Sequence, residues 1–232
     1  METDSENVVD PVVPSASAEA ELERAFREFV QRSDFPCLGA RSVVRLYSYS
    51  LRVYGALGRM GNSRALLDDL ASFTAEHSEA SLSAFVAVFP HSPPENEIVF
   101  ERRLWQQLQM IHDVDPQGAN WAAGVSSDPH DPHFSFSAGG RAFFVVGLHP
   151  ESSRLARRFI VPALVFNPHE QFSRLRAEGK FDGLRAAIRA RDIAFQGNEN
   201  PNVADFGERS EAGQYSGRQT EGDWKCPFRR KP

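Results

Sequence analysis

The side chains best suited to chemistry lie between residues 132 and 176. This stretch holds His149 and His169, each beside a proline that restrains the local backbone. The basic residues between the two histidines are Arg154, Arg157 and Arg158. Imidazole is the commonest metal ligand, and a planar guanidinium binds a carboxylate through two parallel hydrogen bonds. The pattern indicates a site for a metal cofactor that carries anionic side groups.

Three side chains are candidates for the metal ligand, and the sequence leaves the choice among them open. His149 ends a predicted strand, and Pro150 holds the turn from which its imidazole projects. His169 is predicted to begin a helix, where the dipole favours the neutral, metal-binding ring. Cys37 could supply a thiolate ligand. Each also has an ordinary alternative as a core or surface histidine, a helix cap, or a small buried thiol.

Arginine and phenylalanine side chains could hold the rest of such a cofactor. We predict that Arg154 and Arg157 bind its carboxylates, with surface ion pairs as the alternative, and that Arg158 points elsewhere. Phenylalanine is unusually frequent, at 18 residues against 4 Tyr and 3 Trp. Rings in the predicted hairpin, such as Phe136 and Phe143, are expected to form the apolar walls of a pocket for a planar ligand.

Composition and charge argue against several classes of protein. A formal net charge of -5 and a pI near 5.8 do not provide the basic face that a nucleic-acid binder needs. The sequence contains no apolar run of about 18 residues, and acidic residues follow Met1 where a signal peptide would be basic and then apolar. Cys37 and Cys226 are too few for a disulfide framework. A soluble cytoplasmic protein with no nucleic-acid or membrane partner is expected.

Hydrophobic periodicity predicts the elements that must position these side chains. Helices are predicted over residues 18–32, 62–76, 95–115, 169–178 and 181–195. Strands are predicted over residues 41–54, 82–89, 133–137, 141–149 and 159–166. Gly139-Gly140 separates the third and fourth strands and predicts a hairpin, whereas Pro162 places the fifth strand at an edge or a bulge.

This order of elements predicts an α+β fold, a single domain in which helices cover a mostly antiparallel sheet. Residues 1–17 are rich in acids, Ser and Pro and are expected to form a disordered arm, which leaves 18–232 as the domain. The last 35 residues lack periodicity and should form an irregular C-terminal arm. We expect this arm to pack down through Tyr215, Trp224 and Phe228.

Several ordered blocks of the sequence resemble the YqcI/YcgG family, over about residues 20 to 230. They include Phe35-Pro36-Cys37, the segment 100–115 with its LWQQL, the FSF that precedes the hairpin turn, and SRLAR. Four longer blocks are similar to the GntA-like branch of that family: GLHPESSRLARRF, VFNPHEQFSRLR, NPNVADFGERSEAGQYSGR and WKCPF. The resemblance implies a protein that binds haem b. At a haem iron, a Cys37 thiolate would favour O–O cleavage, and His169 could instead be a distal residue that faces bound dioxygen. In the GntA-like branch the resemblance implies an enzyme that N-hydroxylates a guanidino group in specialised metabolism.

A guanidino substrate is cationic at neutral pH, so its pocket should offer a carboxylate that accepts two hydrogen bonds. The acidic candidates are Asp128, Asp131, Asp205, Glu208 and Glu211. We predict that Glu208 or Glu211 positions the substrate, because both lie in family-like sequence on an arm that could fold over the site.

The resulting hypothesis is a haem-dependent monooxygenase that uses dioxygen or peroxide. Its electrons would come from a separate reductase, because the chain contains no GxGxxG nucleotide fingerprint. The alternatives are a haem carrier or sensor, an interaction protein without a cofactor, and a non-haem iron oxygenase with two histidines and a carboxylate. The sequence leaves open whether the chain forms a homodimer.

Overall fold

The computed structural model describes residues 16–77, 82–116, 120–202 and 206–230. The α-helices of these residues are α1 Ala16–Gln31, α2 Leu38–Arg45, α3 Ser63–Glu76, α4 Glu97–Val114, α5 His169–Ala177, α6 Phe181–Gln196 and α7 Ala212–Tyr215. The strands are β1 Tyr49–Val53, β2 Ala84–Val88, β3 Phe136–Ala138, β4 Arg141–Leu148 and β5 Ala163–Pro168. None of the described helices is both long enough and apolar enough to cross a membrane.

The five strands form one sheet in the order β1-β2-β5-β4-β3. β1 pairs with β2 in parallel, and the other three pairs are antiparallel. The parallel pair requires a crossover connection, and α3 lies in it. The predicted α+β fold with a mostly antiparallel sheet is confirmed.

β2 is buried along its whole length, and its side chains alternate between two cores. Phe85 and Ala87 pack in the cluster that α3 and α4 complete, whereas Val86 and Val88 pack in the cluster that α1 and α2 complete. Because successive side chains of a strand point to opposite faces, helices cover both faces of the sheet.

The predicted hairpin is confirmed between β3 and β4. Gly139 and Gly140 have φ of 58° and 74°, the left-handed values that a two-residue type I′ turn needs at both central positions. The register places Phe136 opposite Phe143. The two phenylalanines predicted as pocket walls are therefore neighbours on adjacent strands.

The strand predicted over 41–54 is wrong in its first half, because α2 occupies residues 38 to 45. The Cys37 thiol accepts the backbone N–H of Ala40 at 3.4 Å and caps the helix. Val43 and Val44 are buried in the same core as α1. Their packing as one helix face overrides the strand preference of β-branched residues.

The edge or bulge position predicted for the fifth strand is also wrong. β5 lies in the middle of the sheet between β2 and β4, and it begins at Ala163, one residue after Pro162. The carbonyl of Pro162 accepts the N–H of Phe89 at 2.9 Å, so this proline contributes an acceptor and its missing N–H is not needed.

Both predicted terminal arms can be compared with the structure. Residues 16 and 17, predicted as part of a disordered arm, belong to α1, and residues 1–15 lie outside the described residues. The C-terminal arm packs down as expected, with Tyr215 and Phe228 fully buried and Trp224 packed against the same core.

Candidate functional site

His149 follows the last residue of β4 and begins a tight turn. Its backbone N–H donates to the carbonyl of Arg157 at 3.0 Å, and its own carbonyl accepts the N–H of Ser152 at 3.3 Å. The imidazole stacks on the ring of Phe100 in α4, with the ring centres 4.2 Å apart and the planes at 20°. Only 1% of the residue is exposed. Strand, turn and helix together fix this side chain.

Burial favours the neutral form of the His149 imidazole. Burial lowers its pKa to about 4, Arg157 and Arg158 act in the same direction, and Glu97 opposes them. Neither Nδ1 nor Nε2 has a hydrogen-bond partner among the described residues. Buried polar atoms nearly always have a partner, so an unsatisfied ring in this position requires an explanation, and coordination of a ligand is one.

Arg157 ties the same turn to the C-terminal arm. Its guanidinium donates to the carbonyls of Gly147 at 3.2 Å, of Tyr215 at 3.1 Å and of Gln214 at 3.1 Å. Burial lowers its pKa to about 10, although Asp192 and the Cys37 thiol favour the charged form. The predicted carboxylate-binding role of this arginine would therefore use a cation that already holds backbone carbonyls.

Arg154 is also engaged within the chain. Its guanidinium donates to Asp192 at 2.5 Å and to the side-chain oxygen of Asn198 at 2.6 Å, and both charged side chains of the pair are largely buried. Arg158 donates to the carbonyl of Ser152 at 3.0 Å. An external carboxylate at Arg154 would compete with Asp192.

Gly147 lets β4 approach α4 closely behind His149. A Cβ at this position would lie 2.7 Å from Cε1 of Phe100 and 2.8 Å from Cδ1 of Leu104, distances that real Cβ contacts do not show. The missing side chain brings Phe100 under the strand end and hence under the imidazole.

His169 begins α5 as predicted, but it lies far from His149. In the β4–β5 ladder Phe143 pairs with Pro168 and Leu148 pairs with Ala163, so the two histidines follow opposite ends. The paired positions are five residue steps apart, which is roughly 17 Å at about 3.4 Å per residue. The structure does not bring the two histidines together, and a single metal ion can be bound by only one of them.

The surroundings of His169 differ from those of His149. Burial, together with the charge of Arg176, lowers the pKa of His169 to about 4. Its ring contacts the ring of Phe206 in the C-terminal arm at 4.6 Å between centres. The guanidinium of Arg176 lies over the same phenylalanine at 5.6 Å.

Cys37 caps α2 and is a poor source of thiolate in this structure. Burial raises the pKa of its thiol, while the backbone N–H groups of Ala40 and Gly39 and the charge of Arg157 act in the opposite direction. A thiolate ligand would require the proton to leave on binding.

Glu211 is a buried carboxyl group in a hydrogen-bond network. Its Oε1 accepts the hydroxyl of Ser135 at 2.8 Å and the hydroxyl of Tyr215 at 2.5 Å. The Tyr215 oxygen in turn accepts the backbone N–H of Phe136 at 3.0 Å. Burial raises the pKa of Glu211 to about 7, and the two hydroxyl bonds and Arg176 only partly offset this effect. The group can therefore gain or lose a proton near neutral pH.

The side chains of Phe136 and Phe143 lie in the main core and are almost fully buried. Phe143 packs edge to face on Phe166 at 6.0 Å, and Phe136 packs edge to face on Phe228 at 5.9 Å. In this structure other rings of the chain cover both phenylalanines, and their role as walls of a ligand pocket stays a prediction.

The remaining acidic candidates are at the surface or outside the described residues. Glu208 is exposed, so it does not share the surroundings of Glu211. Asp128 and Asp131 lie in one turn, where Asp131 accepts the N–H of His133 at 2.7 Å and has a lowered pKa because of that bond. Asp205 lies outside the described residues.

Sequence reasoning missed a groove beside the His149 turn, which we call the α4 groove. It has a volume of about 770 Å³ and lies between residues 94–98, the side chains of Glu151 and Ser153, and residues 218 and 219. The only sequence signal was the presence of Glu151 two positions after His149. Glu97 is 56 positions from Ser153 in the chain, and the sequence offers nothing that pairs them.

No group of three or more His, Cys, Asp or Glu residues in the described part of the chain is arranged to hold a metal ion. The model of the YqcI/YcgG family matches residues 26–229. Neither a curated protein nor a solved structure gives a significant match.

Proposed function

Since this chain belongs to the YqcI/YcgG family, we propose that it is a haem-dependent monooxygenase that N-hydroxylates a guanidino group of an arginine-like small molecule. The resemblance of four sequence blocks to the GntA-like branch supports the activity. The observation that carries the cofactor is the imidazole of His149, which is buried, neutral and without a hydrogen-bond partner.

A buried, neutral imidazole without a hydrogen-bond partner is a side chain that would hold the iron of haem b. A single imidazole is a common proximal ligand of haem iron, and it binds as the neutral ring. His149 has that form, and its stacking on Phe100 fixes the plane of the ring. Arg154 and Arg157 are the cations nearest in sequence for the propionates, and Arg154 would exchange Asp192 for one of them. His169 is the second candidate for the axial position, and Cys37 is the third.

Bound haem would supply the activation of dioxygen or peroxide and the insertion of one oxygen atom into an N–H bond. The chain would hold the cofactor, position the cationic substrate and exclude water. Glu211 can hold or release a proton at its carboxyl group, because its pKa of about 7 lies near the working pH. A separate reductase would deliver electrons. Both described cysteines are free, which supports a reducing, cytoplasmic location as part of the proposal.

Absorption spectra test the cofactor. The protein is produced in cells supplied with a haem precursor, as the parent and as the variants His149→Ala, His169→Ala and Cys37→Ala. We expect a Soret band in the parent that His149→Ala alone abolishes or strongly shifts. His169→Ala is the matched control, because it removes an imidazole whose pKa burial also lowers to about 4. Four identical spectra, or a colourless parent, would refute the assignment.

A turnover assay distinguishes an enzyme from a haem carrier or sensor, in which His149 would bind the haem equally well. We expect oxygen-dependent addition of one oxygen atom to L-arginine or a related guanidino compound, measured by mass spectrometry with a reductase supplied. A Soret band without any hydroxylated product would identify a carrier or sensor. Iron without a Soret band would identify a non-haem oxygenase.

A further inference from the structure

We propose that the α4 groove binds a small organic cation through the carboxylates of Glu97 and Glu151. The inference rests on the proposed function, in which that cation is the guanidinium of the substrate. It replaces Glu208 and Glu211 as the carboxylates that position the substrate.

The groove is built from the turn that carries His149. Ser153 donates both its backbone N–H and its hydroxyl to Oε1 of Glu97, each at 2.8 Å, and so fastens this turn to the start of α4. Phe100, which stacks on His149, lies one helical turn after Glu97. The groove has a volume of about 770 Å³ and is open to solvent, so a ligand can enter it directly. A ligand in the groove would lie beside the element that holds the proposed haem ligand.

Two of the charged side chains that line the groove are already paired within the chain. Arg103 binds both carboxylate oxygens of Glu95, at 2.6 and 2.7 Å. Among the described residues of the lining, the cation is Arg218, which pairs with Glu101 at 2.7 Å and with Glu221 at 2.8 Å.

Glu97 and Glu151 remain as the acids of the lining that form no ion pair in the described part of the chain. Since a carboxylate and a guanidinium form strong charge-assisted bonds, these two side chains favour a cationic ligand.

The groove also offers apolar surface beside the two acids. Ile98 is 58% exposed although it is a large apolar residue, and it lines the groove together with Pro94. A ligand with a methylene chain would cover this surface and gain free energy from its burial. An aliphatic chain that ends in a cation, as in arginine, matches both features.

Isothermal titration calorimetry on the purified full-length protein tests the site. The probes are L-arginine, its neutral analogue L-citrulline, and 1,5-diaminopentane. Glu97→Gln keeps an oxygen that can accept from Ser153 and removes the charge, and Glu151→Gln removes the charge of an exposed residue. Each variant should weaken arginine binding by about tenfold or more, and added salt should weaken binding to the parent. Citrulline should bind far more weakly than arginine.

Glu208→Gln and Glu211→Gln are the matched controls, because they test the other location for the substrate. Weaker arginine binding in these controls, with unchanged binding in the groove variants, would overturn the inference. So would the failure of the parent to bind either cation.

If both groove variants catalysed haem-dependent N-hydroxylation with an unchanged KM for arginine, the inference about the groove would be overturned. The proposed function would still stand. Conversely, binding of the diamine that requires Glu97 and Glu151, in a protein that binds no haem and no arginine, would support the cation site and refute the proposed function.

Discussion

The buried carboxyl group of Glu211 should make the stability of this protein fall as the pH rises from 5 to 8. Burial raises its pKa from 4.5 to about 7, so the folded protein binds a proton that the unfolded chain releases. Its contribution to stability is complete below the unfolded pKa of 4.5 and is lost as the pH rises through 7. At about 1.4 kcal/mol for each pKa unit, the whole effect is about 3 kcal/mol, of which about 2.5 kcal/mol falls between pH 5 and 8.

The measurement is the free energy of unfolding in urea, for the parent and for Glu211→Gln, at closely spaced pH values between 5 and 8. A glutamine has almost the same shape and never ionises, and its amide oxygen can still accept from Ser135 and Tyr215. The stability of the parent relative to the variant should therefore decline by about 2.5 kcal/mol over this range, with most of the decline below pH 7 and little change above it.

Comparison with the variant removes the effect of the buried histidines. His149 and His169 have pKa values lowered to about 4, so their contribution is present above their ordinary value of 6.5 and is lost on acidification. That contribution is common to both proteins and cancels in the difference. Glu208→Gln, an exposed change on the same arm, should give a flat difference. A flat difference for Glu211→Gln as well would show that this carboxyl group is not desolvated and would refute the reasoning.

Three further predictions concern the His149 turn and its surroundings. His149→Leu should raise the free energy of unfolding of the haem-free protein by about 1 to 2 kcal/mol, because it removes two unsatisfied buried nitrogens; urea denaturation measures this, and lower stability would reveal a partner for the ring. Gly147→Ala should lower the same free energy by about 1 to 3 kcal/mol, since its Cβ would lie 2.7 Å from an aromatic carbon of α4. Its control Gly183→Ala, whose Cβ meets nothing within 4 Å, should raise it by about 0.5 to 1 kcal/mol, and equal shifts would contradict the packing argument. Haem titration should show stronger haem binding for Asp192→Asn and weaker haem binding for Arg154→Gln, because Asp192 competes with a propionate for the guanidinium of Arg154. The reverse order of affinities would exclude Arg154 as a propionate ligand.

Local signals in the sequence were enough for most of the elements. The helical spacing of Leu66, Leu70 and Phe73 predicts α3, and these residues are buried on its inner face. The Gly139-Gly140 pair predicts the hairpin, because glycine adopts two successive left-handed conformations without strain. Both features depend on neighbouring residues alone, and neighbouring residues can be compared directly in a sequence.

Long-range pairing could not be predicted in the same way. Nothing near Val43 indicates that it packs in a helix, and nothing near Pro162 indicates that the strand after it occupies the centre of the sheet. The carboxyl group of Glu211 accepts a hydrogen bond from Ser135, 76 positions away, and Glu97 accepts one from Ser153, 56 positions away. The sequence identifies His149 as a candidate ligand, but the lack of a partner for its nitrogens is a property of the packed structure.

The three carbonyl contacts of Arg157 have a consequence for biosynthesis. They anchor the segment around Tyr215 to the end of β4, and this segment and Phe228 close the aromatic core over Trp105 and Phe134. During translation these rings therefore stay exposed until residues 206–230 have left the ribosome. A stalled or shortened nascent chain would expose an aggregation-prone aromatic surface to chaperones. Deletions at the carboxyl-terminal end should therefore be avoided when the protein is produced.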